Sequence, residues 1–283
     1  MREGNLADRL FLLRERIVGA CARSGRDPAS VRLLPVTKGF PADTVREAIA
    51  LGLQEFGENR VQEAEGKIPS VEPRPRWHLV GHLQSNKAKR AAQLFDVIHS
   101  IDSDAIAAEV SRRAVQADRR IACLVEVNTS GDRDKFGAAP DRALELLQAA
   151  GRLEGIELQG LMTIGPLEGG PEGARRAFQS LARIRREAAG AGLLTEDADL
   201  SMGMSDDFEI AIEEGATIVR VGTALFGSRP GAAGPGTGSR VLRGSSSRSR
   251  RRAAPMRLLA YGRTELSGSG SPPRRRMAKP TKR

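Results

Sequence analysis

VRLLPVTKGFPADTVREAIALGLQEF (31–56) reads as strand, helix, strand. VRLLPV (31–36) is a short β-rich run, apolar apart from Arg32. PADTVREAIALG follows with Ala42, Val45, Ile49 and Leu53 near helical spacing, and QEF (54–56) opens the next strand. The same unit recurs downstream: a helical stretch through Gln62, RWHLV (76–80), SNKAKRAAQL, DVIHS (96–100), SDAIAAEVSRRAVQ, IACLVEV (121–127) and PDRALELLQAAG. LQGLMTI (158–164) leads to a long helix ending near Ala189. DLSMG (199–203), the helix SDDFEIAIEEG and TIVRVG (217–222) close the series. Eight strands, each followed by a helix or helix-forming stretch, predict a parallel sheet. Eight units in ~200 residues is the size of a closed α/β barrel of the (β/α)8 TIM type. An open doubly wound sheet is the runner-up, but no G-x-G-x-x-G follows the first strand.

Upstream, MREGNLADRLFLLRERIVGA interleaves Arg9, Arg14 and Glu15 with Leu6, Leu10, Leu13 and Ile17. That is the apolar stripe of an amphipathic helix, not the uncharged core of a signal peptide. No run approaches the ~18 apolar residues of a spanning helix, so a membrane role is not expected. Two cysteines, Cys21 and Cys123, cannot build a disulfide framework, and the cytoplasm is the default compartment.

The net charge of +10 is unevenly placed. Of the 45 Lys and Arg and 35 Asp and Glu, 15 bases and one acid lie from Arg229 onward, leaving 30 bases and 34 acids before it. Residues 1–228 are therefore a mildly acidic barrel domain, at −4, and residues 229–283 a basic tail, at +14. The tail has 22 Gly, Pro and Ser in 55 residues and little apolar surface, the composition of a disordered segment. Its SRSRRR and PPRRR runs could meet nucleic acid or another acidic surface. No aromatic residues interleave with them, so nucleic-acid binding is not expected of the chain except through that tail.

In a barrel, chemistry sits at the carboxyl ends of the strands. Those positions hold Lys38, Gly57-Glu58-Asn59, His82, Ser100, Asn128, Met162-Thr163, Ser201 to Ser205, and Arg220 to Thr223. Lys38, just past VRLLPVT, projects from the rim toward the axis. Partial burial lowers an ammonium pKa, which a Schiff-base lysine requires, although a rim lysine with its head in water is the plainer reading. SMGMSDDFEIAIEEG places Ser201, Gly203 and Ser205 at a helix start, where free N–H groups favour phosphate, with Ser205 as the cap and Gly215 as the stop. Gly222 and Thr223 add to it where barrels commonly hold phosphate. Asp206 and Asp207 must then point away. Arg220, near the end of a buried strand, needs a partner or a ligand. His78 and His82 share a strand face, but no third metal ligand stands at a useful spacing. Asn59 and Asn128 are polar anchors or loop caps; Met162, Met202 and Met204 read as packing, and Cys123 as core.

VTKGFP, FGENRVQE, WHLVGHLQSNK, VNTSGDRDKFG, GLMTIG and LSMGMSDDFEIAIEEGATIVRVGTALFG resemble the pyridoxal phosphate homeostasis proteins (the YggS/PROSC group) from about Val31 to Gly227. These are similar to the barrel domain of alanine racemase, the fold-type III pyridoxal phosphate architecture. The resemblance implies that Lys38 forms a Schiff base with pyridoxal 5′-phosphate (PLP), that Arg220 faces the pyridine nitrogen and that Asn59 lies near the ring. It also implies that Ser201, Met204, Ser205, Gly222 and Thr223 belong to the cofactor site, with the phosphate at this loop pair. Thr37-Lys38-Gly39 departs from the Ser-Lys-Thr of many members, which keeps the lysine but puts its neighbours' contacts in question.

An arginine at the pyridine nitrogen keeps that nitrogen unprotonated and weakens the cofactor as an electron sink. Racemases of this fold take a second base, a tyrosine, from a C-terminal β-domain, whereas the one tyrosine here, Tyr261, lies in the tail. The reading is thus a cytoplasmic, non-catalytic PLP-binding protein of vitamin B6 homeostasis, acting in storage, buffering or delivery to apo-enzymes, and monomeric. The alternatives are an amino-acid racemase with His82 as second base, a class I aldolase using Lys38 without cofactor, and a nucleic-acid module resting on the tail.

Overall fold

Period-two alternation sorts every strand into an inner and an outer face. The strands are β1 (Arg32–Pro35), β2 (Glu55–Glu58), β3 (Arg76–Leu79), β4 (Val97–Ile101), β5 (Ile121–Glu126), β6 (Ile156–Met162), β7 (Asp199–Ser201) and β8 (Ile218–Val221). The computed structural model describes residues 5–229 apart from Arg133 and Leu167. The basic tail beyond Arg229, and with it Tyr261, lies outside the described residues, which all belong to the first of two units, Met1–Pro235.

All strand pairs are parallel, in the order β1-β8-β7-β6-β5-β4-β3-β2. A parallel bridge from Val36 to Gly57, with the Thr37 N–H donating to the Gly57 carbonyl at 2.9 Å, joins β1 to β2 and closes the ring. The architecture is the expected (β/α)8 barrel, with strand bounds within two residues of the sequence reading.

The helices are α1 (Leu6–Arg23), α2 (Ala42–Ala50), α3 (Val61–Lys67), α4 (Ala88–Leu94), α5 (Asp104–Gln116), α6 (Ala143–Ala150), α7 (Gly170–Gly190), α8 (Phe208–Glu213) and α9 (Thr223–Phe226). Among the described residues, β8 is followed only by the single turn of α9, too short to cover its strand. α1 supplies the missing cover. A capping box between Asn5 and Asp8 starts it, and its stripe Leu6, Leu10, Leu13 and Ile17 is buried. Each such side chain contributes roughly 1.5–3 kcal/mol. Arg9 Nε donates to the Leu225 carbonyl at 2.6 Å, while Arg16 and Arg23 pair with Glu209 at 2.7 and 2.9 Å, so α1 is tied to α8 and α9.

The core has two compartments. The larger lies between sheet and helices and holds Phe56, Trp77, Phe95, Phe178 and Phe208, all fully buried. Inside the barrel the described residues form two small apolar clusters, Leu34–Val36–Val80–Ile218 and Val97–Ala122–Leu124–Met162. The remaining interior is polar: His78, His99, Glu126, Ser201 and Arg220 are all buried. Cys123 and Met202 are fully buried apolar residues, as expected. Among the described residues, no helix is long and apolar enough to cross a membrane.

Candidate functional site

Arg32, Leu34 and Val36 alternate onto the inner face of β1, and the same step carries Lys38 over the mouth of the barrel. The turn that bears it is clamped on both sides. Thr37 Oγ1 donates to Glu58 Oε1 at 2.6 Å, and Lys67 Nζ donates to the Thr37 carbonyl at 2.7 Å. Lys67 also reaches Glu58 Oε1 at 2.5 Å and Glu63 Oε1 at 2.9 Å, and Glu63 Oε1 accepts the Gly39 N–H at 2.5 Å. Gly39 has φ +76°, and a Cβ there would meet Arg229 Cδ at 2.9 Å. Burial lowers the pKa of Lys38, helped by the positive charges of Arg229 and Arg220. Glu58 is fully buried, and burial pushes its carboxyl up while Lys67 and Thr37 pull it back.

A cavity of about 190 Å³ opens beside Lys38. Of the eight residues singled out from the sequence, Lys38, Asn59, Met204, Ser205, Arg220, Gly222 and Thr223 line it. Ser201 does not. It lies beneath the floor, fully buried, where its Oγ accepts from Arg220 Nη1 at 2.8 Å. The reason is strand geometry: Ser201 still belongs to β7 and faces the barrel interior, and the loop widens only after it. Val36, Val80 and Ile164 give the cavity apolar walls.

Arg220 sits on the inner face of β8 with 4% of its surface exposed. Nη1 donates to the Ser201 carbonyl at 2.7 Å, and Nη2 to the Thr163 carbonyl at 2.8 Å. Burial pulls its pKa down to about 10, against the opposing pull of Glu126 and Asp207, so it remains a cation at neutral pH. Among the described residues no carboxylate forms an ion pair with it. A guanidinium fixed this way, with its remaining edge on the cavity, suits a ring nitrogen that accepts a hydrogen bond.

Ser205, Asp206, Gly222 and Thr223 form a further part of the cavity wall. Gly203 adopts φ +90°, and a Cβ there would meet Ala211 Cβ at 2.5 Å, so only glycine lets this loop approach its helix. The first turn of α9 leaves N–H groups without intrahelical acceptors. One of them, Ala224, donates to Ser205 Oγ at 3.2 Å, which leaves the hydroxyl proton free to donate. The capping role expected for Ser205 is therefore corrected: α8 starts at Phe208 with Asp207 as N-cap and no side-chain cap bond. Asp207 accepts the Met204 N–H at 2.6 Å, and Asp206, an exposed residue, is among those that line the cavity.

Other candidates resolve differently. Asn128 caps its own loop, donating to the carbonyls of Asp132 and Lys135 at 2.8 and 3.3 Å. His82 stacks on Phe136 with ring centroids 3.5 Å apart and lies 3.2 Å from Asp102, in a neighbouring hollow that shares Asn59 with the Lys38 cavity. Among the described residues no cluster of His, Cys, Asp and Glu could hold a metal ion. The clamp of Glu58, Glu63 and Lys67 was not anticipated. Its trace in the sequence is the spacing of Glu63 and Lys67 on one helix face, which says nothing of the turn it grips.

The profile of the alanine racemase N-terminal domain family matches residues 21–230. The pyridoxal phosphate homeostasis protein of Pseudomonas aeruginosa is 43% identical over 228 residues, covering 79% of this chain and 96% of that protein. The protein of the same name from Aquifex aeolicus is 41% identical over 231 residues, covering 80% and 99%. PipY of Synechococcus elongatus PCC7942, solved with PLP bound, superposes with a TM-score of 0.67 at 38% identity, covering 79% of this chain and all of that one.

Proposed function

The chain belongs to the pyridoxal phosphate homeostasis family, and from that premise we propose that it binds PLP and stores, buffers or delivers it inside the cell with little or no turnover. One observation supports this most: a half-buried amine, a fixed guanidinium and the hydroxyl and backbone groups of Ser205, Gly222 and Thr223 share one small cavity with apolar walls. Those three features match the aldehyde, the pyridine nitrogen and the phosphate of a single molecule. Lys38 would hold the aldehyde carbon as an imine, with the carbonyl oxygen leaving as one water. Arg220 would donate to the ring nitrogen, Val36, Val80 and Ile164 would hold the ring, and Ser205, Gly222 and Thr223 would hold the phosphate with Asn59 beside the ring. We read the protein as cytoplasmic and able to act as a monomer, since the cavity is complete within one chain. The recipients would be PLP-dependent apo-enzymes.

The racemase reading is weaker because proton exchange on two faces needs a second base within hydrogen-bond reach. His82, the candidate for that role, is stacked in the adjacent hollow and does not line the cavity of Lys38. The deciding experiment is an absorption spectrum of the purified protein with added PLP, followed by borohydride. A visible band and one reduced adduct on Lys38 support the reading; a colourless protein, or stereochemical exchange of amino acids at enzymatic rates, overturns it.

A further inference from the structure

A column of buried polar side chains runs down the barrel beneath the cavity. Arg220 Nη1 donates to Ser201 Oγ at 2.8 Å, Ser201 Oγ lies 2.9 Å from His99 Nδ1, and His99 Nε2 lies 2.9 Å from His78 Nδ1. Among the described residues His78 Nε2 has no hydrogen-bond partner, and it faces Glu55 Oε2 at 3.9 Å. Glu55 opens β2 at the far mouth of the barrel, with Arg76 at 3.7 Å and Arg32 at 3.9 Å from its other oxygen. Barrel interiors are usually filled by branched apolar side chains, and buried polar groups cost stability unless paired, so packing alone does not call for this column.

Counting donors gives the column a direction. The guanidinium only donates, and a hydroxyl has one proton. Both imidazoles are neutral, because burial pushes His78 down to about 3 and His99 well below its ordinary value. Each ring therefore has one donor and one acceptor nitrogen. If the rings pointed toward Arg220, the bare Nε2 of His78 would face the Glu55 carboxylate, lone pair against lone pair. In the other arrangement Ser201 donates to His99 Nδ1, His99 Nε2–H donates to His78 Nδ1, and His78 Nε2–H faces Glu55. Every donor then points away from the guanidinium and toward the carboxylate.

We propose that Glu55, His78 and His99 are positioning residues that form, with Ser201, a one-way relay which orients Arg220 and couples it to the charge at the opposite mouth of the barrel. The relay itself is independent of the ligand. Its consequence, that Glu55 tunes the group Arg220 offers to a pyridine ring, rests on the PLP reading.

The test uses the full chain, labelled with nitrogen-15 in histidine and arginine and free of ligand. His78 and His99 are expected as neutral Nε2–H tautomers that do not titrate between about pH 5 and 8. Glu55→Gln, at the open end of the column, is expected to shift the His99 Nδ1 and Arg220 Nη resonances. In a Ser201→Ala background the same change should leave Arg220 unmoved, and His99→Gln serves as the second break point should Ser201→Ala melt early. An Nδ1–H tautomer at His99, or an Arg220 resonance indifferent to Glu55→Gln, overturns the relay. With PLP, Glu55→Gln should change affinity about threefold, within the range for coupling through contiguous networks. A wild-type chain that binds no PLP removes the functional reading and leaves the resonance test standing; PLP binding with an unmoved Arg220 removes the relay alone.

Discussion

Lys67 Nζ donates to the carbonyl of Thr37 at 2.7 Å, and that bond holds the residue immediately before the lysine at the mouth of the barrel. Both ends of the contact are buried, and the same ammonium is shared with Glu58 and Glu63. α3 thus acts as a brace for the turn after β1. The direction of Lys38 depends on a salt bridge that touches neither Lys38 nor the cavity.

Lys67→Met removes the brace and leaves Glu58 without its counter-charge in a buried site. Breaking a buried pair from one side costs about 3–5 kcal/mol, which urea unfolding should report. PLP affinity should fall as well, because the turn loses its carbonyl anchor. Unchanged stability would show that the Glu58 carboxyl is kept neutral without Lys67.

Lys38→Ala should abolish the visible band while leaving the circular dichroism and melting temperature near those of the parent. Lys38 is half-buried and forms no ion pair among the described residues, so its loss strands no partner. A mutant that retained a full band and the same reducible adduct would move the attachment to another lysine.

Glu126 sets a pH dependence of stability with a defined sign. Burial, aided by Asp102, raises its pKa to about 7 from an ordinary 4.5. In the folded state it therefore binds a proton that the unfolded chain has already released. The favourable contribution is complete below about 4.5 and is lost as the pH rises through 7, for a total of about 3 kcal/mol. Glu126→Gln should raise stability above pH 7 and flatten the profile between those limits. Unfolding titrations across that window check it, and a mutant as pH-sensitive as the parent would assign the proton elsewhere.

Truncation at Pro230 should leave PLP affinity and melting temperature nearly unchanged, since β8 and α9 already complete the ring. The cut spares Arg229, whose side chain approaches Gly39 and contributes to the lowered pKa of Lys38. Residues 230–283 hold 14 Lys and Arg and one Glu, so removal takes the net charge from +10 to −3. Salt-sensitive binding to a nonspecific oligonucleotide should disappear with it. A large loss of PLP affinity would show that the removed segment supports the barrel.

The barrel was legible because each βα unit carries its own local signal, a short apolar run followed by helical spacing. Lys38, Asn59 and Arg220 were legible for a related reason: they continue the inward alternation of β1, β2 and β8 to the rim. Ser201 is off the cavity lining because chain position does not say where the strand stops and the loop opens. Lys67 was invisible because its burial depends on α3 folding back over the turn after β1, a tertiary event. His78 and His99 occupy inward positions that alternation predicts. What the alternation could not convey is that their rings meet across adjacent strands, which requires the stagger of β3 against β4.

The contact between α1 and α9 spans nearly the whole barrel sequence: Arg9 and Leu225 are 216 positions apart. The seam it covers pairs β1 with β8, where Leu34 stands opposite Arg220. Contacts of such long range carry a loop-closure cost before they return any stability, and chains dominated by them fold slowly. Lys38 and Arg220 lie on the two sides of this seam, so each end of the barrel sequence supplies only part of the cavity lining. The cavity that both residues line therefore exists only once that seam has formed.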